Sequence, residues 1–161
     1  MEVRLKSDGQ WDHPDASLRL QIPPDPRFGK YVRERVAGFA SAYVIPDEDL
    51  REYLTAIGEA FANAVEHSRS EAPIEVTCWF VGGEQLIATV ADSGVGFESA
   101  ETAAANVDLP DAYAERGRGL AIMHRCTDHF TVRSTPGQGT AVVLGRYVRH
   151  RRAGQASTRG T

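Results

Sequence analysis

The stretch "GEAFANAVEH", from Gly58 to His67, places Glu59, Asn63 and His67 at every fourth position. Successive residues of an α-helix turn by about 100°, so these three side chains stack nearly above one another. The apolar stripe of the same helix, Leu50, Leu54, Ile57, Phe61 and Ala64, lies on the opposite side. An acid, an amide and an imidazole in one line form either a solvated face or a face that holds a ligand. Ala56, Ala60 and Ala62 beside them favour the ligand, because a merely solvated face prefers long charged residues. Upstream, "PDEDLREYLTAIGEAFANAVEHS" carries Pro46 and acids at its start, as a helix N-terminus prefers.

The 161 residues suit one domain of ordinary size, large enough to bury a core without staples. Hydrophobic residues at 42% and charged residues at 25% fit a globular chain, not a disordered one. No apolar run approaches the ~20 residues of a membrane span. The opening "MEVRLKSDGQWDHPD" lacks the apolar centre of a signal peptide, so a cytoplasmic location is expected. Cys78 and Cys126, only two, follow no zinc or disulfide pattern and read as buried free thiols. Charge is uneven. The chain has 18 Lys+Arg against 22 Asp+Glu, and five of the arginines lie at or beyond Arg146, where there are no acids. The acidic remainder argues against broad nucleic-acid binding. Residues 149–161, basic and aperiodic, read as a disordered tail behind a domain of residues 1–148.

Along the chain, "SLRLQI" alternates and stops at Pro23-Pro24, as a strand does. "PRFGKYVRERVAGFASAY", from about Pro26 to Tyr43, has helical spacing through Phe28, Val32, Val36 and Phe39. The central helix follows, then a hairpin of "PIEVTCWFV" and "QLIATVAD" around a Gly-Gly turn. On its second strand Leu86, Ala88 and Val90 share a face, and Asp92 continues the row. An ionised Asp entering an apolar row needs a hydrogen-bond donor as partner. The stretch from about Glu98 to Arg116 has no period and is long enough for a functional loop. "GLAIMHRCTDHF" opens a short helix, and "HFTVRST" and "TAVVLGRYV" close the chain as a hairpin around "PGQG". This order predicts an α/β chain of two layers, an α+β sandwich with a mixed, mostly antiparallel sheet covered by helices. It excludes a doubly wound parallel sheet.

Three glycine clusters remain: "DSGVGF" (Asp92 to Phe97), "RGRGL" (Arg116 to Leu120) and "GQGT" (Gly137 to Thr140). None is a P-loop, since no Gly-Lys-Ser/Thr follows four intervening residues, and none has dinucleotide-binding spacing. Gly94 suits a positive φ, and Gly-Gln-Gly suits a hairpin turn. "RGRGL" puts bare backbone amides and two arginines at a helix N-terminus, an arrangement that suits phosphate.

In order, "EAFANAVEH", "DSGVGF", a variable loop, "GRGL" and "GQGT" resemble the motifs of the GHKL (Bergerat) ATP-binding fold. That domain is shared by histidine kinases, gyrase-type ATPases and Hsp90-type chaperones, and the resemblance spans about Pro46 to Val148. It implies that Glu59 and Asn63 form the family's N-box, with Asn63 holding a Mg²⁺ that bridges the phosphates of ATP. It implies that Asp92 accepts a hydrogen bond from the adenine amino group, with Thr140 assisting through an ordered water. Gly94, Gly96, Gly117 and Gly119 would shape the lid around the phosphates, and Arg116, Arg118 and Leu120 belong to the same implied nucleotide site.

The chain has no room for a histidine kinase's dimerisation helices, nor for the lysine-bearing domains of gyrase-type proteins. It looks like the free-standing anti-sigma-factor serine kinases, which bind a sigma factor and phosphorylate a serine on a STAS-domain antagonist. The implied catalytic base is Glu59. The implied partners are a sigma factor, a STAS-domain protein and a second copy in a homodimer, with no direct nucleic acid and no membrane. Glu66 departs from the Lys or Arg frequent at that position and removes a phosphate-facing cation. His67 suits a structural place at the helix end, and Asp128 reads as structural. A non-catalytic ATP-binding module and a detached histidine-kinase ATPase domain are the alternative readings.

Overall fold

The computed structural model describes residues 17–43, 45–81, 84–96, 102–103 and 117–148. Strand β1 (Leu18–Ile22) stops at the two prolines, and a single 3₁₀ turn at Pro26–Phe28 leads into helix α1 (Gly29–Ala40). Asp25 caps that turn, accepting from the Arg27 backbone N–H at 2.9 Å. Helix α2 (Asp47–His67) begins directly after Pro46 with Asp47, Glu48 and Asp49 in its first turn, where the helix dipole favours acids. Strands β2 (Ile74–Val81) and β3 (Gln85–Asp92) form the first hairpin, and helix α3 (Gly117–Arg125) precedes strands β5 (His129–Thr135) and β6 (Gly139–Tyr147). A two-residue strand β4 (Thr102–Ala103) pairs with β5. It falls inside the stretch expected as an unstructured loop. The rest of that stretch, with Arg116, and the expected tail from 149 to 161 lie outside the described residues.

The six strands run in the order β1-β2-β3-β6-β5-β4. Every pairing among them is antiparallel, so no parallel pair makes the described sheet mixed. Alternation sorts the side chains. Leu20, Ile22, Ile74, Val76, Cys78, Leu86, Ala88, Val90, Phe130, Val132, Val142 and Leu144 share one core with residues of all three helices. The chain is a sheet with helices packed on one face, the two-layer α+β sandwich. Among the described residues no helix is long and apolar enough to cross a membrane. Cys78 and Cys126 are buried free thiols, and burial pushes the Cys78 thiol pKa far up, which keeps it inert.

Helix α2 is buried over a wider arc than its apolar stripe predicts. Tyr53, Ala56, Ile57, Ala60, Phe61 and Ala64 are buried, whereas Leu50 and Leu54 are only partly so. The helix touches α1, α3 and the sheet at once, so it needs small residues wherever a neighbour comes close. Ala56 and Ala60, expected to make room for a ligand, are packed into the core instead; Ala62 alone is exposed. Tyr53 is buried because its hydroxyl has a partner, donating to the Leu144 carbonyl oxygen at 2.9 Å.

Arg146, in the closing strand as expected, sits on the inward row of β6 and ties three elements together. Its guanidinium bonds to Asp49 of α2, to Glu52 Oε2 at 2.8 Å and to the Cys126 carbonyl at 2.9 Å. Burial alone would lower its pKa, but the Asp49 and Glu52 carboxylates outweigh this and hold it above the ordinary value. Asp128 is structural, as read: its Oδ2 accepts from the Tyr147 N–H at 2.8 Å. Replacing Arg146 by Ala removes charge-assisted bonds from a partly buried site, which costs about 2 kcal/mol. Urea unfolding of the variant checks this; a loss below about 0.5 kcal/mol, as for an ordinary exposed pair, would contradict it.

Candidate functional site

Two sets of contacts draw the four sequence motifs together. The first is between helices. Glu59 and Asn63 are half-buried on α2, and the first turn of α3 lies against them. A Cβ added to Gly119 would stand 3.2 Å from Glu59 Oε2 and 3.4 and 3.5 Å from Asn63 Nδ2 and Oδ1. Glycine therefore lets the start of α3 come close to the Glu59 carboxylate and the Asn63 amide. The first amides of a helix have no partner within it and carry partial positive charge, which favours anions.

The second set lies at the end of β3. Asp92 follows Leu86, Ala88 and Val90 on the inward row, as alternation predicts, and pairs in register with Thr140. Its Oδ1 accepts from the Gly94 N–H at 2.9 Å, which turns the chain as the strand ends. Thr140 Oγ1 lies 2.8 Å from Ser134 Oγ, and Ser134 Oγ also donates to the Gly139 carbonyl at 3.2 Å. Ser134 is buried and holds Thr140 in place. Sequence reading missed it, because a serine within a strand carries no local signal of a cross-strand bond.

Glycines let these backbones touch. A Cβ on Gly94 would fall 2.1 Å from the Ser68 carbonyl oxygen. Its φ is not in the left-handed region, so close approach rather than positive φ requires glycine there. Beside it, the Val95 N–H donates to the same Ser68 oxygen at 3.1 Å. Gly139, at φ +96°, leaves 1.9 Å between a hypothetical Cβ and the Asp92 carbonyl oxygen. Gly96, at φ +62°, meets the Thr135 carbonyl in the same way. The Gly137 N–H donates to Val95 O at 2.8 Å. The end of α2, the "DSGVG" turn and the "GQGT" turn are thus one packed unit.

Gly117 opens α3 itself, so the helix starts at the first glycine of the cluster rather than after it. The Leu120 side chain is 4% exposed and belongs to the core. Arg116 and the Arg118 side chain lie outside the described residues, with the phosphate role expected of them. His67 Nε2 lies 3.4 Å from Glu66 Oε2 of the preceding residue at the helix end. Chemically, the site offers a carboxylate acceptor at a strand end. At a helix start it adds an amide oxygen suited to a hard cation and a carboxylate suited to a proton. That donor set fits a purine nucleotide with Mg²⁺.

Comparison with known proteins finds relatives over most of the chain. A model of the histidine kinase-like ATPase domain matches residues 22–146. The anti-sigma F factor of Thermoanaerobacter sp. strain X514 is 31% identical over 120 residues, covering 73% of this chain and 84% of its own length. That of Pasteuria penetrans is 35% identical over 116 residues, 70% of this chain and 77% of its own. A serine-protein kinase RsbW from Bacillus velezensis is 28% identical over 151 residues, 88% of this chain and 91% of its own. Among solved structures, the RsbU and RsbW domains of a Mycobacterium tuberculosis protein align with 88% of this chain at a TM-score of 0.64 and 20% identity. This chain spans 35% of that one, and the likeness is one of fold.

Close approach at Gly94 makes a paired prediction. Gly94→Ala forces backbone apart and lowers stability by about 1–3 kcal/mol. Gly38→Ala, in α1 with nothing within 4 Å of the new methyl, raises it by about 0.5–1 kcal/mol. Urea unfolding of both variants reads the two signs, and the same sign in both would contradict the packing described.

Proposed function

The chain belongs to the histidine kinase-like ATPase domain family, alongside the anti-sigma F factors, and from that premise we propose that it is an ATP-dependent protein-serine kinase. On this reading it works in the cytoplasm and doubles as an anti-sigma factor, binding a sigma factor and phosphorylating a serine of a STAS-domain antagonist. The observation that carries the proposal is the position of Glu59 and Asn63 side by side against the bare backbone of Gly119.

Each residue then has a distinct task. Asp92 accepts a hydrogen bond from the adenine amino group, with Thr140 assisting through an ordered water and Ser134 holding Thr140. Asn63 presents its amide oxygen to Mg²⁺, an ion that takes a few protein oxygens among waters and phosphates. The backbone of the α3 start, from Gly117 to Gly119, faces phosphate charge. When bound, ATP with Mg²⁺ would supply the phosphoryl group and charge neutralisation for its transfer. Glu59 takes the proton of the incoming serine hydroxyl at a carboxylate oxygen, the work of a general base. Glu66 places an acid where a cation would assist, so catalysis rests more heavily on the α3 amides.

Asp92→Asn replaces the charged acceptor of the adenine contact. A hydrogen bond to a charged group is worth about 1.5–3 kcal/mol, or roughly tenfold or more in affinity. Calorimetric titration of the folded variant with ATP checks the assignment, and unchanged affinity would remove Asp92 from it.

Glu59→Gln keeps shape and most hydrogen bonding but cannot accept a proton. ATP binding should survive within a few-fold, while transfer of labelled phosphate to a STAS-domain serine falls by ~10²-fold or more. Undiminished transfer would keep the kinase and discard Glu59 as its base. A wild-type chain that binds ATP and a sigma factor yet phosphorylates none of the cell's STAS-domain proteins is a non-catalytic module.

A further inference from the structure

The inward face of the sheet changes character at one end. Ala88, Leu144 and Phe130 stand in register across β3, β6 and β5, and Val90, Val142 and Val132 form the next inward row. The row after that is Asp92, Thr140 and Ser134. Two apolar rows are thus followed by one whose three side chains all carry oxygen. Asp92 and Thr140 are half-buried, whereas Ser134 is only 5% exposed. A buried hydroxyl costs stability unless its hydrogen bonds are made. A valine at position 134 would continue the core without that cost.

The bonds that Ser134 makes fix where the protons lie. A hydroxyl carries one proton, and its oxygen can accept as well as donate. The Gly139 carbonyl can only accept, so the 3.2 Å contact takes the proton of Ser134. The 2.8 Å contact between Ser134 Oγ and Thr140 Oγ1 then needs the proton of Thr140. Thr140 Oγ1 is left with lone pairs alone for any further partner. Across the strand pair, Asp92 is an acceptor too. Its Oδ1 takes the Gly94 N–H at 2.9 Å, and an ionised carboxylate has no proton to give. To a ligand, Asp92 and Thr140 therefore offer two acceptors and no hydroxyl donor.

We propose that Ser134 sets the base specificity of the site through Thr140, by taking the Thr140 proton and so making that hydroxyl an acceptor. The inference rests on the adenine reading of Asp92 given above. An amino group on the base brings two N–H bonds to a pair of acceptors. A 6-oxo purine brings an oxygen instead, and acceptor facing acceptor leaves polar groups unpaired. Where a water stands between Thr140 and the base, the same bond sets its direction. The water gives one proton to Thr140 Oγ1 and has the other for N1, which accepts in adenine and carries a proton in a 6-oxo purine. Ser134 touches no ligand on this account and is a positioning residue.

Threonine and valine have nearly the same shape, so Ser134→Thr and Ser134→Val separate the hydroxyl from packing. Calorimetric titration of the wild type and both variants with ATP and with inosine triphosphate, which has an oxygen in place of the amino group, reads the selectivity. The wild type should prefer ATP by ~10²-fold or more, and Ser134→Thr should keep that preference within a few-fold. In Ser134→Val the Thr140 proton is released to meet a 6-oxo group, which should narrow the preference by about tenfold. An unchanged preference in Ser134→Val, or an equal loss in Ser134→Thr, would overturn the role of Ser134 and leave the adenine reading standing. A wild type that binds the two nucleotides equally, or binds neither, would overturn both.

Discussion

The structure depends on one constraint, which is that backbones near the end of β3 touch without side chains between them. Gly94 against Ser68, Gly139 against Asp92 and Gly96 against Thr135 would each place a Cβ within 2.1 Å of a carbonyl oxygen. Any other residue at these positions would push the "DSGVG" turn off the end of α2 or off the "GQGT" turn. Because the turn is held on both sides, the Asp92 carboxylate has a fixed direction, and the Gly94 N–H bond adds to it. A carboxylate meant to discriminate one donor from another needs that fixity more than it needs charge.

Helix α2 links this clamp to the rest of the molecule. Its buried arc supports the sheet, its half-buried arc carries Glu59 and Asn63, and its C-terminal cap residue is Ser68, the partner of Gly94. Arg146 ties the N-terminal turns of α2 to the end of α3 through Asp49, Glu52 and the Cys126 carbonyl. The two helices that frame Glu59 and Asn63 are therefore fastened at the end remote from the site.

Local pattern made much of this legible. Alternation placed Asp92 on the inward row, and the fourfold spacing of Glu59 and Asn63 put them on one helix face; both readings rest on periods of the backbone. What escaped was set by distant partners. Ala56 and Ala60 look like a ligand's resting place, yet both are packed in the core. The partners of Arg146, Asp49 and Glu52, lie almost a hundred residues away, and no local pattern names them. Gly94 reads as a turn residue, although its φ is ordinary and Ser68 is the reason for it. The place of Ser134 arises from a cross-strand contact that no local window contains.

The central claim is that Asp92, Asn63 and Glu59 serve one nucleotide in one orientation. A crystal structure of the chain with a non-hydrolysable ATP analogue and Mg²⁺ tests it most directly. The account predicts the adenine amino group on the Asp92 carboxylate, the metal on the Asn63 amide oxygen, and Glu59 facing the side from which a serine would arrive. Adenine bound away from Asp92, or a metal with no contact to Asn63, would contradict it.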